Sequence, residues 1–142
     1  MNKLDLSLEQ LVVEIASAYE RHLLLNGRLT DEQLRAHDYS FAIPEIYEGN
    51  EPPSPLERAR KFTRFALDQL THAVEVNREQ LRGKVCVDAA YCKNKGSESF
   101  AVLVATIDGA LSTLLSFPIP AATITAWLIK TKWLDKLCQC PQ

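Results

Sequence analysis

Between residues 100 and 129 the chain carries one charged side chain, Asp108. A stretch that apolar has to leave water, either inside the protein or inside a membrane, and everything else in the fold must accommodate it. Pro118 and Pro120 interrupt it. Proline lacks an amide donor and collides with the preceding turn, so the stretch is expected to form two helices, over 100–117 and 120–137, as an apolar helical hairpin.

Two environments fit such a hairpin. Residues 109–129 are uncharged and are followed by Lys130, Lys132 and Trp133. That is the length and flank of a spanning helix, with Trp127, Lys130, Lys132 and Trp133 as interfacial anchors. The same 21 residues contain five Ser or Thr and two prolines, which dilutes their hydropathy. A hairpin buried in protein explains these residues equally and also supplies the apolar layer that the upstream amphipathic helices need, so it is the leading reading. On the first helix of the hairpin, Leu103, Val104, Ile107, Leu111, Leu114 and Leu115 share one half. Ala105, Gly109 and Thr113 recur at four-residue spacing on the other. Small residues at that spacing admit a second helix backbone, so this face is expected to pack against a helix or to form an oligomer contact.

The upstream sequence reads as amphipathic helix. Ser7 with Gln10 makes a capping box, Leu11, Val12, Ile15, Tyr19 and Leu23 follow at helical spacing, and Gly27 supplies a left-handed stop. Thr30 with Gln33 repeats the box before a short helix over 31–37. Residues 38–55 hold four prolines and no sustained period, yet Tyr39, Phe41, Ile43, Ile46 and Tyr47 are apolar enough to pack, which predicts an ordered strap. Ser54, Pro55 and Glu57 then start a long helix expected to reach Arg82 and stop at Gly83. Phe62, Phe65, Ala66, Leu70 and Val74 form its apolar side, opposite Glu57, Lys61, Arg64, Asp68, His72 and Glu75. Residues 84–98 read as a loop or one short strand. The whole, residues 1–142, is expected to be one all-α domain in which amphipathic helices pack on the apolar C-terminal hairpin.

Charge narrows the partner. The net charge of −2 gives no general attraction to nucleic acid. It is unevenly spread: residues 1–54 carry 4 basic and 10 acidic groups, net −6, and residues 55–98 carry 9 and 6, net +3. Arg58, Arg60, Lys61 and Arg64 crowd the first turns of the long helix, where cations oppose the helix dipole. They are the candidate partner-binding residues, for an acidic protein surface or for the acidic N-terminal arm. Without a pattern of stacking aromatics, nucleic acid is the weaker option.

No reaction chemistry can be written. Cys86 and Cys92 have five residues between them and Cys138 and Cys140 have one, spacings that do not make a zinc knuckle. The four cysteines are read as ordinary buried or fraying thiols that folding does not need, in a cytoplasmic, reducing setting. Asp68, His72 and Glu75 share a helix face but lack the carboxylates from other helices that a di-metal bundle requires. There is no nucleophile elbow, no phosphate loop and no dinucleotide fingerprint. The expectation is a non-enzymatic helical interaction module, an adaptor or small subunit of an assembly, with no cofactor, metal or catalytic residue. Membrane association through the 100–137 hairpin is the alternative, and a nucleic-acid-binding subunit the third.

Overall fold

Short-range capping sets where the first helices begin. In the computed structural model, which describes residues 2–47 and 53–141, Ser7 Oγ accepts from the Gln10 amide (3.1 Å) and Gln10 Oε1 from the Ser7 amide (2.8 Å). They open α1 (Leu8–Leu25), which gives way to the left-handed Gly27 (φ 73°). Thr30 and Gln33 form the same reciprocal pair at 3.1 and 3.0 Å and start α2 (Asp31–Arg35). Ser54 caps α3 (Pro55–Val76) through the Glu57 amide (3.2 Å), without the reciprocal bond that closes the boxes of α1 and α2.

The strap is ordered where it is described. Tyr39 is buried, its ring stacked on Phe62 at 4.3 Å between centroids and its hydroxyl donating to Glu20 Oε2 at 2.6 Å. Ile46, in the 3-10 turn Pro44–Tyr47, is buried beside it. The Tyr47 side chain and residues 48–52 lie outside the described residues.

Beyond Val76 the chain departs from expectation. The long helix ends at Asn77, whose Nδ2 donates to the Ala73 carbonyl (2.8 Å), a side-chain bond that competes with the helix's own ladder. After one turn, α4 (Arg78–Leu81), the backbone widens into a π-helical segment, Arg82–Asp88, that passes through Gly83 without stopping. Staying helical buries Leu81 and Val85. The left-handed stop falls on Ala90 (φ 49°), before α5 (Tyr91–Asn94). The loop-or-strand expectation for 84–98 is thus corrected to helix over 84–88 and 91–94, the rest being turns, and no strand occurs among the described residues.

Proline breaks the apolar segment as expected: α6 (Phe100–Leu114) and α7 (Ala121–Lys130) flank residues 115–120. The final helix is not continuous to Leu137. Lys132 turns left-handed (φ 62°) and sets off α8 (Trp133–Cys138). Helix α7 lies between α1 and α6. With Thr123, Ile124, Thr125, Ala126 and Leu128 all buried, it is the central helix, covered on nearly all sides. Leu103, Ile107 and Leu111 of α6 join the same core. A second apolar cluster forms around Leu23, Leu29, Tyr39, Ile46 and Phe62. Helices α1 and α3 contribute to both clusters and tie them together.

Candidate interaction surface

Helix α6 has two unlike faces. Leu103, Ile107 and Leu111 recur every four residues and point into the core. The opposite face, with Ala101, Val102, Ala105, Thr106, Gly109, Ser112 and Thr113, is exposed. Val102 is 68% exposed. The expectation that Ala105, Gly109 and Thr113 pack against another helix of the chain is corrected here: a Cβ placed on Gly109 would meet no atom within 4 Å. Close approach over small residues governs helix pairing in lipid, where apolar burial gives no drive. In water the face that removes more apolar surface wins, and each buried Leu or Ile contributes about 1.5–3 kcal/mol.

The exposed face is uncharged as well as small. Thr106 Oγ1 donates to the Val102 carbonyl and Thr113 Oγ1 to the Gly109 carbonyl, both at 2.9 Å. Both hydroxyls are therefore satisfied within the helix. Alongside runs a groove of about 360 Å³ between α6 and the π-helical segment, lined by Lys84, Asp88, Thr106, Gly109, Thr113 and Leu114 among others. Val87, on the same segment, is 72% exposed.

The basic cluster does not act as one group. Arg58 faces the protein, donating from Nη1 to the Pro53 carbonyl (3.0 Å) and from Nη2 to the Ala36 carbonyl (2.9 Å). It clamps both ends of the strap, so its guanidinium is engaged within the chain. Arg60 and Arg64 are exposed one turn apart, and Lys61 is half-buried. No ion pair among the described residues joins these three to the acidic N-terminal arm. Its Glu14 pairs instead with Lys3 (2.9 Å) and accepts from Thr123 Oγ1 (3.3 Å), fixing α1 against α7.

The two tryptophans among the proposed membrane anchors are engaged within the protein. Trp133 Nε1 donates to Glu75 Oε1 (3.2 Å), and the Arg78 guanidinium lies 5.8 Å from the Trp133 ring centroid. Trp127 is packed against the main core, while Lys130 and Lys132 are exposed. Since α7 spends its apolar side chains inside the protein and stops at Lys130, residues 109–129 do not form a spanning helix. No helix among the described residues is long and apolar enough to cross a membrane.

The cysteines are not free thiols. They are paired, Cys86 with Cys138 and Cys92 with Cys140, each with Cα atoms 5.2 Å apart. The thiol reading is corrected accordingly. The even number of cysteines was the signal available. Nearby, buried Tyr91 hydrogen-bonds Asp135, which also pairs with Lys95 (3.2 Å). Burial first, then this bond and the Asp135 charge, push the Tyr91 phenol well above its ordinary range.

Asp68 and His72 are exposed on α3, and Glu75 is engaged by Trp133 and Arg78. Among the described residues no three His, Cys, Asp or Glu side chains are grouped to hold a metal. No family model, curated protein or solved structure matches the chain.

Proposed function

We propose that the protein is a non-enzymatic helical interaction module, a small subunit that self-associates through the exposed face of α6. The observation that carries this reading is that face itself, which runs the length of a helix of about 22 Å and bears small and uncharged groups where water-facing helices bear charge. A second copy is the partner it suits best. In a two-fold contact each patch meets its own image, so the rim must be self-complementary. Lys84 and Asp88 line one side of the groove with opposite charges, so an antiparallel copy sets Lys84 of each chain against Asp88 of the other. The exposed Arg60 and Arg64 offer a separate, salt-sensitive surface for an acidic protein partner.

Light scattering coupled to size-exclusion chromatography over a concentration series tests the reading. Wild type is expected to pass from monomer to dimer with rising concentration. Val102→Glu with Ala105→Glu is expected to stay monomeric with unchanged far-UV dichroism. A wild type that remains monomeric throughout, or a variant that dimerises equally well, overturns it.

The compartment belongs to the same proposal. A cytoplasmic setting, suggested by the low cysteine count, holds cysteines as thiols, whereas an oxidising one preserves the paired form.

A further inference from the structure

Both disulfides join the same two pieces of chain. Cys86 sits in the π-helical segment and Cys92 in α5, whereas Cys138 ends α8 and Cys140 follows it by two residues. Between them they fasten α8 over the edge formed by α5, α7 and the π-helical segment. Without them α8 has little of its own. It is six residues long, far below the length at which a helix persists alone, and it is bounded by left-handed non-glycine residues on both sides, Lys132 (φ 62°) and Gln139 (φ 52°). Besides the disulfides it is held by Leu134 and Leu137, buried in the main core, by Trp133 packed at the core's edge with Glu75 and Arg78, and by Asp135 with Lys95 and Tyr91.

We propose that the two disulfides form a redox latch on α8, which a dithiol reductant opens only after it has reduced both. Either bond alone keeps the end of α8 tethered to the same site, so release follows the second reduction and not the first. Access sets the order. Cys140 lines an open cavity of about 550 Å³ together with Lys95, Lys132, Asp135, Lys136 and Gln139. Three ammonium groups against one carboxylate favour an incoming thiolate there. The thiolate attacks one sulfur of Cys92–Cys140, forming a mixed disulfide and expelling the other cysteine as a thiolate that takes up a proton. The second sulfur of the dithiol then closes on the first, freeing the remaining cysteine. Two electrons pass, and the reductant leaves as a disulfide. Repeated at Cys86–Cys138, the exchange leaves four thiols and a free α8, uncovering the apolar edge around Val85 and Leu128. The remaining core, on α1, α3, α6 and α7, keeps its contacts.

Stepwise reduction of the oxidised full chain with dithiothreitol tests this. Alkylation and peptide mass mapping count the open bonds, brief trypsin treatment reads cleavage at Lys132 and Lys136, and far-UV dichroism reads the remaining helix. Cys92–Cys140 is expected to open first without changing cleavage. Opening the second bond is expected to raise cleavage about tenfold or more while most of the helical signal persists. The paired variants Cys86→Ser/Cys138→Ser and Cys92→Ser/Cys140→Ser, each with one bond left and no reductant present, are expected to resist trypsin like wild type. Cleavage that rises at the first opened bond, cleavage unchanged after both, or loss of the whole helical signal on reduction overturns the latch.

Discussion

Replacing Gly109 with alanine should stabilise the monomer, because the two terms that would oppose it are absent. The residue lies inside α6, five positions before its end, with no atom within 4 Å of an added Cβ, so the methyl group neither clashes nor fills a cavity. What remains is the backbone term: glycine in a helix interior is worse than alanine by about 0.5–1 kcal/mol. For 142 residues the unfolding entropy is roughly 0.3 kcal/mol per kelvin at about 2.1 cal/mol/K per residue, so Tm should rise by about 2–3 °C. Gly109→Leu should gain nearly as much, since leucine is almost as good a helix former. If this face were packed on another helix, the leucine would instead cost about 1–3 kcal/mol by overpacking. Urea unfolding followed by far-UV dichroism, at protein concentrations where wild type is monomeric, reads the sign directly. Lowered stability of both variants under those conditions would refute the exposed-face reasoning. At high concentration the leucine variant should associate more weakly than the alanine variant, which separates the monomer's preference from the proposed contact.

Three further outcomes follow from other contacts. With the second bond holding the loop closed, removing one disulfide opens a ring of only about eight residues and should cost about 2.5 kcal/mol. Removing both opens loops of 52 and 48 residues and should cost about 6.5 kcal/mol, more than the two single losses together, as urea unfolding of the paired and quadruple serine variants would show. Arg58→Ala should destabilise by about 0.5–1.5 kcal/mol through loss of its bonds to the Ala36 and Pro53 carbonyls, whereas Arg60→Ala, on the exposed side, should change stability by less than about 0.5 kcal/mol. The Tyr91 phenol is raised in the folded chain, so its contribution is complete below the ordinary phenol value of about 10 and is lost as pH climbs beyond it. Tyr91→Phe should flatten that alkaline fall in a pH series of melting curves; an unchanged fall would assign it to other groups.

Features whose causes lie within a few residues were legible before folding. Ser7 with Gln10, Thr30 with Gln33, and Ser54 with Pro55 each satisfy helix-end donors using partners three positions away, so the starts of α1, α2 and α3 were legible. Pro118 and Pro120 acted through their own rings, and the break between α6 and α7 fell where they stand. An apolar strap was legible too, since Tyr39 and Ile46 have no stable place in water.

Features that depend on distant partners were set by the packing of the whole chain. The π-helical continuation through Gly83 follows from where Leu81 and Val85 find a core, which no local period records. Arg58 looked like one of four equivalent cations until the fold placed the Ala36 carbonyl, 22 positions earlier, within its reach. The two faces of α6 competed for the core on area, and the branched side chains prevailed over the small ones. The cysteines show the division most plainly. Pairing requires two Cα atoms to come within about 7 Å, and for residues 52 and 48 positions apart that proximity is set by the packing of α8 on α5 and the π-helical segment, not by anything in the intervening sequence.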